Sequence, residues 1–183
     1  MAKAYVFLAN GFEDVEALAP VDILRRGGVE ALLVSTTGTK EVTSAHGVTL
    51  LADLTIEEAN LQDADLLMLP GGMPGAANLN EHEGVRSALL GQAEKGGFIG
   101  AICAAPLVLG GLGLLQGRRA TCYPGFEQYL IGADVTGELV TVSGNITTGK
   151  GPGAAFAFGY ALLQNFVSEE QVEQLKQGMI FQG

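Results

Sequence analysis

A cysteine stands where an apolar run gives way to small residues, in Phe98-Ile99-Gly100-Ala101-Ile102-Cys103-Ala104-Ala105-Pro106. Read as a strand running into a helix, the segment puts Cys103 at the junction, with Ala101 two residues before it and Ala105 two after. Small residues at those places allow the sharp turn that exposes a nucleophile, the cysteine counterpart of the G-x-S-x-G elbow. A helix N-terminus favours a thiolate and lowers a thiol's pKa. A second reading stays open, because a free cysteine is commonly just a small buried hydrophobe. Pro70-Gly71-Gly72-Met73-Pro74-Gly75 follows another apolar run. Its glycines either present backbone N–H groups to an oxyanion or make a tight loop and nothing more. The third segment is Asn10-Gly11-Phe12-Glu13-Asp14-Val15-Glu16. Glu13 and Asp14 suit a first helical turn, where the macrodipole stabilises carboxylates. Glu16 lies one turn before Pro20 in an otherwise apolar stretch. Turned toward the strand ends and partly buried, it would have a raised pKa and could exchange a proton with a thiol.

Positioning these residues requires alternating strands and helices, and the hydrophobic pattern supplies them. Tyr5 to Ala9 reads as a strand and Glu13 to Arg26 as a helix with a Val15, Leu18, Val21 stripe, kinked at Pro20. Arg25, Arg26 and Gly27-Gly28 stop that helix. Strands follow at Val29 to Ser35, Val48 to Ala52 and Asp65 to Leu69, with a short helix over Thr55 to Leu61. Asn80 caps a helix through Glu94 that carries Val85, Leu89 and Gln92 on one stripe. Phe98 to Ile102 is a strand, Ala104 to Leu115 a Gly-rich helix, Leu139 to Ser143 a strand, and 153–166 and 168–181 are helices. The pattern over 120–138 specifies no element. Continuous apolar strands, rather than alternating ones, indicate a parallel sheet covered on both faces. The expectation is one doubly wound α/β domain over 1–183, with its site at the carboxyl ends of the strands.

Composition excludes several classes. Hydrophobic residues make up 48% and charged ones 16%, which is incompatible with intrinsic disorder. Ten basic against twenty acidic residues give a net charge of −10, a field that repels nucleic acid and anionic membrane surfaces. No apolar run approaches the ~20 residues that span a bilayer. Two cysteines, Cys103 and Cys122, make no disulfide framework and fit a reducing, cytoplasmic setting. Gly144 to Lys150 spells G-x-x-x-x-G-K, but Gly151 stands where a phosphate loop needs Ser or Thr for its metal. With Pro152 following, it reads as the turn that starts a helix. His46, His82, Cys103 and Cys122 lack the spacing of a zinc site. His82, in Glu81-His82-Glu83, reads as a solvated residue at a helix start.

Taken together, Leu8 to Glu16, Pro20 to Gly28, Leu69 to Gly72, Ala101 to Pro106 and Gly151-Pro152-Gly153 resemble the DJ-1/PfpI superfamily, and most closely its DJ-1 (ThiJ-like) branch. The resemblance covers essentially the whole chain, with the motifs in order. It implies a flavodoxin-like sandwich of the class I glutamine amidotransferase-like type, usually a homodimer. It makes Cys103 the elbow cysteine and Glu16 its carboxyl partner, with Gly71, Gly72 and the Ala104 amide around the thiol. Two places depart from better-known members. Tyr123 stands where many carry a histidine near the cysteine, and His46 where some have an arginine.

The superfamily includes peptidases, amidotransferases and enzymes acting on small aldehydes. An amidotransferase triad needs a histidine downstream of the cysteine, and none follows position 82. The peptidase branch has histidine directly after the cysteine, where this chain has Ala104. The resemblance therefore implies Cys–Glu chemistry: cofactor-free conversion of methylglyoxal or glyoxal to a 2-hydroxy acid, or repair of the adducts those aldehydes form. The rival is a non-catalytic redox sensor or chaperone-like protein in which Cys103 is oxidised to a sulfinate held by Glu16.

Overall fold

The computed structural model describes residues 1–182. Its elements run β1 (Lys3–Leu8), α1 (Asp14–Arg26), β2 (Glu30–Ser35), β3 (Glu41–Thr43), β4 (Thr49–Leu51), β5 (Leu54–Thr55) and β6 (Leu66–Leu69). Then come α2 (Gly75–Glu81), α3 (Glu83–Glu94), β7 (Phe98–Ile102), α4 (Pro106–Gly111), β8 (Arg119–Ala120) and β9 (Asp134–Val135). The chain closes with β10 (Val140–Ser143), β11 (Ile146–Gly149), α5 (Ala155–Leu163) and α6 (Glu169–Gly178). Seven strands form the central sheet in the order β10-β11-β7-β6-β1-β2-β5. All its pairs are parallel except β10 with β11. Every residue of β6 is buried, as a strand covered on both faces requires.

From β1 the chain crosses to β2 on one side, whereas from β6 it crosses to β7 on the other. Right-handed crossovers in opposite directions put their helices on opposite faces. Accordingly α1 packs on α5, while α2, α3 and α4 group together with α3 and α4 against β7. The reversal at β1 and β6 opens a crevice beyond the carboxyl ends of the strands.

The stripe on α1 is not the expected one. Val15 and Leu18 face outward, and the buried positions are Glu16, Ala17, Pro20, Val21, Ile23 and Leu24. These fall at i, i+1, i+4, i+5, i+7 and i+8, one broad helical face, and Glu16 belongs to it. Pro20 sits inside a helix that runs unbroken from Asp14 to Arg26. It removes only the N–H that would have bonded the Glu16 carbonyl. The seam with α5 is tight: a Cβ on Gly159 would stand 2.8 Å from Ile23 Cδ1 and 3.0 Å from the Pro20 Cα.

Elsewhere the pattern was misleading in specific ways. β4 pairs antiparallel with β3 in a separate hairpin, outside the main sheet. The helix expected over 55–61 is instead the edge strand β5, a turn and a 3-10 turn at Leu61–Asp63. His82, not Asn80, caps α3, its Nδ1 accepting from the Val85 N–H at 3.3 Å, and Asn80 lies inside α2. The Val85, Leu89 and Gln92 stripe is buried as expected. Gly144 to Lys150 contains a strand: Gly144 makes the turn between β10 and β11, and Ile146 to Gly149 pair with β7. Pro152 then opens a 3-10 turn before α5. Within 120–138, β8 and β9 form a small parallel pair.

Candidate active site

Three turns bring the site together, and they follow β1, β6 and β7, which are neighbours in the sheet. Cys103 comes directly after β7 with φ +65°, a left-handed conformation that costs a non-glycine residue about 1–3 kcal/mol. Backbone hydrogen bonds fix it there. The Cys103 N–H donates to the Gly149 carbonyl at 2.9 Å, and its own carbonyl accepts from the Tyr123 N–H at 2.9 Å. The expected elbow is thus present, and the sulfur-bearing residue is 8% exposed.

Glu16 is fully buried. Its Oε2 accepts from the Gly71 N–H at 2.8 Å, its Oε1 has no hydrogen-bond partner, and Cys103 stands next to the carboxyl across Gly71. This divides the glycine loop differently from expectation. The Gly71 amide is engaged by Glu16, so the amides directed at the sulfur are those of Gly72 and Ala104. Gly72 reaches its position at φ +85°, in the left-handed region open to glycine. Gly71 admits no side chain for a different reason: its Cβ would lie 2.6 Å from both Cys103 Cβ and Glu16 Oε2. Gly71→Ala is expected to destabilise the fold by about 1–3 kcal/mol, the usual cost of overpacking, and to separate thiol from carboxyl. Urea denaturation with wild-type midpoint would show that the crowding is relieved without cost.

Burial is the main reason that Glu16 is raised to about 7, with the Cys103 and Gly71 hydrogen bonds acting against it. Burial also leads in raising Cys103 to about 12, followed by the charge of Glu16 and its hydrogen bond, while the Gly72 and Ala104 amides oppose the rise. Between those two values the pair holds one proton. The expectation of a thiol lowered by a helix field therefore needs correcting. α4 begins three residues later, at Pro106, and has only six residues. A thiolate forms at Cys103 when the shared proton resides on Glu16.

The remaining candidates are placed as follows. Tyr123 is tied to Cys103 through its backbone, and its half-exposed ring lies over Gly151. Cys122 lies past β8 rather than in a strand, and its thiol is raised to about 11 by burial and by Glu127. His46, on the turn between β3 and β4, joins Asp14 at 3.0 Å and Glu13 at 3.6 Å. These partners, Asp14 first, raise the His46 pKa. The ligand atoms of Glu13, Asp14 and His46 lie within 4.8 Å of one another, a spacing able to share a cation, and here they form an ion-paired cluster. Sequence reading missed that grouping, and it missed Gly149, whose carbonyl holds the elbow. Only the register of β11 beside β7 reveals the second.

A doubly wound sheet whose strand ends carry a cysteine elbow beside a buried carboxyl defines a flavodoxin-like α/β protein. The chain belongs to the DJ-1/PfpI family, whose sequence profile matches residues 2–165. It is 33% identical over 182 residues to the Parkinson disease protein 7 homolog of Danio rerio, covering 97% of this chain and 96% of the relative. It is 31% identical to the glutathione-independent glyoxalase DJR-1.2 of Caenorhabditis elegans, over 89% of this chain and 87% of the relative. A deglycase of Pyrococcus abyssi is 36% identical over 85% of this chain and 94% of its own length. Among solved structures, oxidized Toxoplasma gondii DJ-1 superposes with a TM-score of 0.95 at 32% identity, covering 100% of both chains.

Proposed function

We propose that this single-domain protein converts small 2-oxoaldehydes such as methylglyoxal and glyoxal to 2-hydroxy acids without a cofactor. The observation that carries the proposal is the buried Glu16 carboxyl set beside the Cys103 elbow across Gly71, at the mouth of the sheet. With the proton on Glu16, the Cys103 thiolate adds to the aldehyde carbon, forming a C–S bond. The resulting oxyanion, beside the Gly72 and Ala104 amides, takes the proton from Glu16 to give a hemithioacetal. Glu16, now a carboxylate, removes the proton from that carbon to form an enediolate. Returning the proton to the neighbouring carbon, with the hydroxyl proton passing to the adjacent oxygen, gives the thioester of the hydroxy acid. Water then cleaves the thioester and restores the thiol. One carbon is oxidised and its neighbour reduced, so the sequence balances with water as the only co-reactant. An amide donor to such an oxyanion is worth ~2.7–4 kcal/mol in other systems.

His46 is engaged by Asp14 and His82 caps α3, which favours Cys–Glu chemistry over a Cys–His hydrolase. Repair of glycated adducts would use the same carbonyl-directed steps, and the deglycase relative supports including it. The test is formation of lactate from methylglyoxal by purified protein freed of thiols and nucleotides. Steady turnover supports the proposal, and stoichiometric consumption alone would sink it.

A homodimer working in the cytoplasm completes the proposal. Val15 and Leu18 on α1, together with Val48 and Leu51 near the β3–β4 hairpin, are exposed apolar side chains of the kind that a second copy covers. Sedimentation should give twice the chain mass, and Leu18→Asp should shift it toward the monomer. Among the described residues no helix is long and apolar enough to cross a membrane.

The sensor reading has its own support in the carboxyl beside the sulfur and in the oxidized state of the Toxoplasma relative. Under mild peroxide Cys103 should gain two oxygens before Cys122 reacts, although burial raises both thiols, because only Cys103 has a carboxyl beside it able to take its proton. Glu16→Asp should shift the product toward a readily reduced sulfenate. Peptide mass spectrometry reads both, and equal oxidation of the two cysteines would contradict the assignment.

A further inference from the structure

Beside the elbow lies an open-sided cavity of about 230 Å³. Tyr123, Pro124, Leu139, Pro152 and Ala154 wall it. Lys150 also borders it, but its ammonium donates to the Gly137 carbonyl at 2.9 Å, leaving the aliphatic stem as surface. Two walls are joined to Cys103 through backbone hydrogen bonds. Tyr123 donates to the Cys103 carbonyl, and Cys103 donates to Gly149, which leads directly into the 150–154 wall. The Tyr123 ring lies against Gly151, where a Cβ would be 3.1 Å from Cδ2. A side chain at 151 would push the ring away.

We propose that this cavity is a subsite for an apolar, preferentially aromatic, substituent on a carbonyl compound held at Cys103. The inference rests on the carbonyl chemistry proposed above. Size and lining decide the class of substituent. Apolar cavities of about 150 Å³ accommodate benzene, so a phenyl group fits here, whereas a methyl group leaves most of the space to water. The aromatic ring of Tyr123 and the rings of Pro124 and Pro152 offer faces on which a flat group packs. The half-exposed Tyr123 ring makes one wall of the cavity broad and largely apolar. Aryl 2-oxoaldehydes should therefore be taken in preference to methylglyoxal.

The subsite can be tested without turnover, by alkylating Cys103 with phenacyl chloride and with chloroacetone. These haloketones differ as a phenyl differs from a methyl group. Rates at Cys103 are followed by peptide mass spectrometry, and their ratio is divided by the same ratio for free cysteine. The wild-type preference for phenacyl should exceed that of free cysteine by roughly 10-fold or more. Gly153→Leu should lower it, because Gly153 borders the cavity and a Cβ there meets no heavy atom within 4 Å, leaving room for a bulky side chain at the cavity edge. Tyr123→Ala removes a wall, should also lower the ratio, and serves if Gly153→Leu fails to fold. A wild-type ratio equal to that of free cysteine overturns the subsite. So does a preference that survives both substitutions, or a Cys103 that neither reagent reaches. If phenacyl selectivity is found in a protein that makes no lactate from methylglyoxal, the subsite stands and the proposed reaction falls.

Discussion

Cys103→Ala is expected to abolish lactate formation from methylglyoxal while leaving the fold in place. Alanine keeps the Cβ and loses only the sulfur, and the backbone bonds to Gly149 and Tyr123 do not involve the side chain. Both residues meet the same demand for φ +65°, so the substitution adds no new backbone strain. Removing one buried sulfur should cost on the order of 1 kcal/mol, small beside the ~5–15 kcal/mol that holds a domain together. Circular dichroism and thermal melting check the fold, and an assay run to a background of about 10⁻⁴ of wild type checks the chemistry. Residual turnover above a few per cent, in protein of normal stability, would remove the covalent mechanism.

Glu16→Gln should lower turnover by ~10²–10⁴-fold, the usual scale for general acid–base catalysis. Glutamine can still accept the Gly71 N–H but cannot carry the shared proton. The pH profile gives a sharper signature. In wild type, kcat/KM should rise as the pair loses its first proton near 7, the value of Glu16, and Glu16→Gln should lack that step. Stability should move the opposite way. An acid whose folded pKa lies above its unfolded value stabilises the fold while protonated, and that contribution is lost as pH rises. For Glu16 the window runs from the ordinary carboxyl value of 4.5 to about 7, and the loss is on the order of 3 kcal/mol. Wild type should therefore lose stability relative to Glu16→Gln between pH 5 and pH 8. Parallel curves for the two proteins would mean that the carboxyl is not buried in the way described.

The site was more legible in the sequence than were the elements around it, for a physical reason. Elbows and glycine turns at strand ends depend on local sterics, so Cys103 with its small neighbours and Gly71-Gly72 stand out in the chain. Glu16 was legible as an oddity, yet the Val15 and Leu18 stripe would have assigned the wrong face to α1. Three-residue spacing alone cannot tell which side of a helix meets a sheet, and the outward pair is as apolar as the inward one. The division of labour between Gly71 and Gly72 could not be read, because adjacent amides point differently and only φ values decide where. β11 was hidden inside a run that mimics a phosphate loop, with its threonines buried by tertiary packing rather than marked by apolar periodicity. The proton shared by Cys103 and Glu16 depends on their facing each other from β7 and α1, more than 80 residues apart in sequence.

Glu16 occupies a place in the inward face of α1 that packing alone would give to leucine or methionine. If Glu16 serves Cys103 as proposed, selection for a sturdier fold and selection for a working thiol pull on this one position in opposite directions. Under the proposed chemistry, a stability-guided redesign that put leucine there would be expected to melt higher and to lose turnover. The seam of α1 against α5 has to be strong enough to hold a group that its surroundings disfavour, and the absence of space at Gly159 is part of that reserve. Drift at the seam, far from any reacting atom, would then be felt first as a change in where one carboxyl keeps its proton.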